Sequence, residues 1–161
     1  HTSQLVVERL ARRVVGWDYS RWYATADTYP QNAVRGPIVM VTNQWAGSDG
    51  DIVAAATQAM GYAKVIGERS WGGVVGIDGR FDLVDGTSVT QPRYAGWYGS
   101  YGWGVENHGV DPDIVVTVSP EDWEADRDVQ LDAAIAECLR QLDDKPAATA
   151  PELPGPAFDR C

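Results

Sequence analysis

Residues 38–67 read as a strand, a helix and a second strand, and this unit restricts the fold more than any other feature of the chain. Ile38-Val39-Met40-Val41-Thr42 is a short apolar run with β-branched residues, suited to a strand covered on both faces. Ile52 to Met60 is Ala-rich and helical in composition; Asp49 and Asp51 make its first turn acidic, and Gly61 is placed to end it. Lys64-Val65-Ile66-Gly67 supplies the next strand. Strands joined through a helix in this way pair in parallel, because the crossover carries the chain back to the edge from which it started. The expected fold class is therefore α/β, with a sheet that is at least partly parallel and has flanking helices.

The remaining pattern adds to that frame. Residues 3–15 carry Leu5, Val6, Leu10, Val14 and Val15 at helical spacing, with Arg9, Arg12 and Arg13 toward the end, where cations suit the helix dipole. Residues 16–36 are rich in aromatics, Asp, Thr and Pro and read as a long ordered loop. Gly72 to Gly76 reads as a flexible connection. Phe81 to Val84 and Ser88 to Tyr94 resemble a hairpin about Asp85-Gly86, and Ile114 to Val118 a last strand, which makes the expected sheet mixed. Leu131, Ala134, Ile135, Cys138, Leu139 and Leu142 give an amphipathic helix over 129–142. One domain over 1–142 is expected, followed by a Pro/Ala-rich tail, 143–161, expected to be disordered.

Thirteen Lys and Arg against 23 Asp and Glu leave a net charge of -10, which argues against nucleic acid as a partner because phosphate contacts draw on clustered basic residues. Two cysteines supply neither a disulfide framework nor zinc spacing, so a reducing, cytoplasmic location is expected, and no metal or other cofactor is implied. No run approaches the roughly 18 apolar residues of a membrane span. The start at His1-Thr2-Ser3, without Met, suggests a piece of a longer chain or an expression scar.

Ser48 stands between the first buried strand and the helix start, where a hydroxyl on a tight turn lies beside helix N-terminal amides. Gly47 and Gly50 allow a sharp bend there, although Ala46-x-Ser48-x-Gly50 is not a strict Gly-x-Ser-x-Gly. Locally, a helix N-cap is a plainer reading of Ser48 than a nucleophile, and Asp49 and Asp51 read as acids that complement the helix dipole. Glu106 has an equally ordinary reading as a solvated loop carboxylate beside Asn107. A nucleophilic serine also needs a general base, and His1 and His108 are the two histidines of the chain.

Three separated segments carry a family resemblance. Gly36-Pro37-Ile38-Val39-Met40-Val41-Thr42-Asn43 with Ala46-Gly47-Ser48-Asp49-Gly50-Asp51, then Ile66-Gly67-Glu68-Arg69-Ser70-Trp71-Gly72-Gly73-Val74-Val75-Gly76-Ile77, and finally Gly104-Val105-Glu106-Asn107-His108-Gly109-Val110-Asp111-Pro112-Asp113, together resemble the catalytic domain of the tricorn branch of the C-terminal-processing peptidases. The resemblance covers roughly residues 2 to 142 and implies a Clp-protease or crotonase-like fold. It implies that Ser48 is the nucleophile, that the Asp49 backbone N–H is one oxyanion donor, and that Glu106 orients the catalytic histidine through a second serine. It also implies that this histidine, the second serine and the other oxyanion donor lie upstream of residue 1, which leaves His108 as a surface loop residue and the isolated chain inactive. Gly16-Trp17-Asp18 resembles the family's Gly-aromatic-Asp segment, in which the acid meets a basic substrate side chain in a neighbouring subunit, although one residue fewer separates Asp18 from Pro30. The implied partners are oligopeptide substrates, the upstream domains of the same protease and further copies of the chain. The rival class is a non-catalytic peptide- or carbohydrate-binding module, invited by the aromatic run Tyr94 to Gly104, for which core and interface packing is the plainer reading.

Overall fold

A computed structural model describes residues 2–153; His1 and residues 154–161 lie outside the described part. In chain order the elements are α1 (Ser3–Leu10), β1 (Gly16–Asp18), β2 (Asp27–Tyr29), β3 (Val39–Thr42), α2 (Asp49–Met60), β4 (Lys64–Gly67), β5 (Gly76–Asp78), β6 (Gln91–Tyr94), β7 (Ile114–Val115), α3 (Pro120–Glu124) and α4 (Val129–Asp144). The chain is thus mixed α/β. Its central sheet has the order β3-β4-β7 and is parallel throughout, with Val39 opposite Lys64, Thr42 opposite Gly67, and Ile66 opposite Ile114. The antiparallel pairs, β1 with β2 and β5 with β6, form two separate ribbons.

Val65 and Ile66 are neighbours on β4, so their side chains point to opposite faces, and both are fully buried. Both faces of the central strand are therefore covered, and α2 and α4 are the helices in contact with it. α2 approaches through Ala54 and Ala55, whose small side chains let the helix sit close. Around them Val74, Val105 and Val110 complete the core, with Met40, Ile52, Tyr98 and Tyr101 packed against it. Gly61 ends α2 in the left-handed conformation at φ 64°, as its position after Met60 suggests.

Several boundaries move. α1 stops at Leu10 and not at residue 15, because Val15 donates its N–H to the Tyr29 carbonyl at 2.9 Å and so joins the β1–β2 ribbon in extended form. The stretch expected as a loop over 16–36 contains that ribbon. The hairpin about Asp85-Gly86 has its paired strands further out, at 76–78 and 91–94; nearer the turn lie an Asp82–Ser88 bridge and the Leu83 N–H donating to the Thr87 carbonyl at 2.9 Å. α3 was not expected; Pro120 at its start and a cap from Ser119 account for it. α4 runs on to Asp144, and the segment beyond it lies along the loop before β3, with the Ala148 N–H donating to the Arg35 carbonyl at 2.9 Å and the Tyr19 hydroxyl to the Pro151 carbonyl. Among the described residues no helix is long and apolar enough to cross a membrane.

Candidate active site

The chain contains the pattern Ser-x-x-Asp twice at a helix start, and the two copies behave differently. Ser119 has an extended backbone, φ -78° and ψ 159°, and forms a complete capping box: its hydroxyl accepts the Asp122 N–H at 3.1 Å while the Asp122 carboxylate accepts the Ser119 N–H at 3.1 Å. The Ser119 hydroxyl also holds the Asp122 carboxyl below its ordinary range, aided by the Ser119 N–H and by Arg127. Ser48 occupies the same place at α2, yet its side chain makes no capping bond, and its backbone sits at φ 55° and ψ -111°.

Those angles belong to the first central residue of a type II′ turn, a place normally taken by glycine. The turn is closed by the Gly50 N–H donating to the Gly47 carbonyl at 2.9 Å. A serine there is strained by roughly 1–3 kcal/mol. Its exposed hydroxyl has no hydrogen-bond partner among the described residues, while its carbonyl accepts the Ile52 N–H at 3.0 Å and starts the helix. The N-cap reading of Ser48 therefore lacks the bond that defines a cap.

Asp49 is the first residue of α2, so its N–H belongs to the turn whose amides have no acceptor four residues back in the helix. Its carboxylate faces α1, accepting the Ser3 hydroxyl at 2.8 Å and the Ser3 N–H at 3.2 Å. The Ser3 hydroxyl is the main reason that the Asp49 carboxyl is held below its ordinary range.

Glu106 sits in the loop between the buried Val105 and Val110. One carboxylate oxygen accepts two backbone N–H groups, from Val74 and Val75, each at 2.7 Å. Residues 70–75, expected as a loose connection in their glycine-rich part, instead form a strap tied on both sides. Toward the serine, the Trp71 N–H donates to the Ala46 carbonyl at 2.9 Å, and the Gly72 N–H to the Asp51 carboxylate at 2.8 Å. Toward the acid, the Gly72 carbonyl accepts the Asn107 N–H at 2.7 Å, and Ser70 exchanges bonds with Val110 through its N–H and its hydroxyl. Gly72, at φ 92°, fits because it has no side chain: a Cβ there would stand 2.5 Å from the Gly109 nitrogen. The exposed Trp71 ring lies against Gly47, the residue before Ser48.

The Ser48 turn and the Glu106 loop thus share one strap, and no direct side-chain bond between Ser48 and Glu106 is present. His108 is exposed, with its ring 2.8 Å from the Asp111 carboxylate and its carbonyl accepting from Arg69. His1 is outside the described residues. Asp18 ends β1 directly opposite Asp27 of β2, exposed and without a side-chain partner among the described residues. The aromatic run divides: Tyr98 and Tyr101 pack on the core, the Tyr101 hydroxyl donates to Gln58 at 2.8 Å, and Trp97 and Trp103 are exposed. Among the described residues no group of three or more His, Cys, Asp or Glu is arranged to hold a metal ion. One concavity of about 460 Å³ lies beside β2, lined by Trp17, Asp27 and Arg35 among others, and another of about 360 Å³ lies between α2 and α4; neither is lined by Ser48 or Glu106.

A parallel α/β core with a strained serine at a strand-to-helix turn is an arrangement that some hydrolases share. Comparison with known sequences narrows that class. The chain matches Peptidase family S41 over residues 8–116, and it belongs to that family. It is similar to "Tricorn protease homolog 1" of Streptomyces coelicolor, 60% identical over 154 residues, which is 96% of this chain and 14% of the relative. It is 46% identical to "Tricorn protease" of Thermoplasma acidophilum over 140 residues, 87% of this chain and 13% of that one. A crystal structure of the tricorn protease superposes with TM-score 0.82 at 45% identity, covering 88% of this chain and 14% of the other. The chain therefore spans about one seventh of the relatives it matches.

Proposed function

We propose that this chain supplies part of the active site of a tricorn-like serine endopeptidase, and that the complete protein hydrolyses oligopeptides through an acyl-enzyme on Ser48. The observation that carries this reading is the Ser48 turn: a non-glycine residue at φ 55° whose hydroxyl caps nothing. In the proposed reaction the Ser48 Oγ attacks the scissile carbonyl carbon and the C–N bond breaks. The hydroxyl proton passes to a histidine outside residues 1–161 and from it to the leaving amine. Water then releases the acyl group from Ser48. The Asp49 N–H, on the first turn of α2, is assigned to the carbonyl oxygen as negative charge develops on it, a contribution on the order of 3 kcal/mol for one preorganised donor. Glu106, its orientation fixed by two backbone amides, is assigned to hold the histidine in register through an intervening serine.

The finer assignments belong to the same proposal. Asp18 is assigned to pair with Lys or Arg before the scissile bond, in a neighbouring copy of the chain within a cytoplasmic homo-oligomer, and no cofactor takes part. Labelling of the complete protein with a fluorophosphonate, together with turnover of a fluorogenic peptide, tests the core of the reading. Both signals are expected, and both are expected to vanish in Ser48→Ala. Labelling that survives in Ser48→Ala sinks the assignment, and peptide or glycan binding without any labelling favours a non-catalytic binding module.

A further inference from the structure

Asp51 is a fully buried carboxylate that neither helix capping nor the reaction as described accounts for. It stands at the third position of α2, where an acid ordinarily reaches back to the N–H of the cap residue, as Asp122 does in α3. Asp51 does not reach back. Its Oδ1 accepts the Gly72 N–H at 2.8 Å, and its Oδ2 is buried with no partner among the described residues. A buried polar atom left unpaired is uncommon, because it forfeits its bonds to water. The N-terminal dipole of α2 offsets part of that penalty.

The bond from Asp51 continues. The Gly72 carbonyl accepts the Asn107 N–H at 2.7 Å, and Glu106, the residue before Asn107, accepts from Val74 and Val75 on the same strap. A short relay thus runs from the first turn of the helix that Ser48 begins, through the two ends of the Gly72 peptide units, to the loop that holds Glu106. The strap passes close over the backbone of His108 and Gly109 at this point, since a Cβ on Gly72 would stand 2.5 Å from the Gly109 nitrogen and 2.7 Å from the His108 carbonyl carbon.

Resting on the peptidase reading above, we infer that Asp51 is a positioning residue that sets the Ser48 turn and the Glu106 loop in register through Gly72. Because Asp51 is sealed from solvent, it acts on the chemical step and not on substrate contact. A displacement of about 1 Å at a reacting centre lowers the rate by about 10²-fold. Asn in place of Asp51 keeps an oxygen for the Gly72 N–H, so the conservative variant restores what Ala removes.

The test uses the complete enzyme, with Ser48→Ala as control and Asp51→Ala, Asp51→Asn, Glu106→Gln and the Asp51→Ala/Glu106→Gln double variant. In Asp51→Ala, kcat on a fluorogenic peptide is expected to fall by about 10²-fold while KM stays within about threefold, the pattern of an interaction felt in the transition state. Asp51→Asn is expected to fold and to recover at least about tenfold of the loss. In the double variant the two losses are expected to combine to less than their product, since Asp51 acts in part through the loop that holds Glu106. A kcat for Asp51→Ala within about threefold of the unsubstituted enzyme, losses that multiply in the double variant, or an Asp51→Asn that fails to fold or recovers nothing, each overturns the inference. If the unsubstituted enzyme shows no turnover that depends on Ser48, the peptidase reading fails and this inference falls with it.

Discussion

Replacing Ser119 by Ala removes the hydroxyl that accepts the Asp122 N–H, and urea unfolding of the chain is expected to show a loss of about 1 kcal/mol, the usual worth of an N-cap. Ser48→Ala removes a hydroxyl that bonds nothing among the described residues, so the same measurement is expected to show a change within about 0.5 kcal/mol, as for an uncommitted surface position. Equal losses at the two serines would mean that Ser48 caps α2 after all. Sequence could not separate them, because Ser-x-x-Asp precedes a helix in both places and the difference lies in a backbone angle. At the substrate side, the exposed Asp18 carboxylate is expected to favour cleavage after Arg over cleavage after Leu. Asp18→Ala in the complete enzyme should lower that ratio by about tenfold or more, the scale of one charge-assisted bond; an unchanged ratio removes Asp18 from the specificity pocket.

Among the elements, the strap over residues 70–75 depends on the backbone at Gly72. Gly72→Ala forces a Cβ to within 2.5 Å of the Gly109 nitrogen at φ 92°, and a loss of about 3 kcal/mol or more in stability is expected by thermal or urea unfolding. Retention of the unfolding midpoint would show that the strap gives way easily. A second element has a pH signature. Arg140 on α4 bonds Glu137 and, with help from Gln141, lowers its carboxyl from 4.5 to about 2. The folded value lies below the unfolded one, so the tie contributes fully above pH 4.5 and is lost as the pH falls toward about 2. In Arg140→Ala the Glu137 midpoint, followed by NMR of its carboxyl carbon, is expected to rise toward 4.5; a midpoint that stays near 2 would assign the shift to Gln141. The helices and parallel strands were legible because period, caps and β-branched runs are local signals. The strap was not, since its order comes from Asp51, Glu106 and Asn107, residues distant in sequence that bond its backbone.

For the whole molecule, the unit of strand, helix and strand located the Ser48 turn, and the resemblance of three segments to one peptidase branch selected Ser48 and Glu106 from the other candidates. No local signal pointed to Asp51 as more than a helix-dipole acid, because its burial follows from the way the strap folds over α2. Neither histidine of the sequence has been placed beside Ser48: His108 faces solvent next to Asp111, and His1 is outside the described residues. The chain alone is accordingly expected to turn over a fluorogenic peptide at least about 10³-fold more slowly than the complete protein, the scale on which loss of a triad member is felt. Steady-state rates of the two at equal concentration check this, and comparable rates would mean that the base lies within residues 1–161.

The angles at Ser48 also bear on what selection can see. A library randomised at that position and sorted for survival under heat or protease alone is expected to enrich glycine, the residue to which φ 55° is least costly. A library sorted for activity of the complete protein is expected to return serine. The gap between the two winning residues would measure how strongly chemistry, against stability, has held a hydroxyl at this turn.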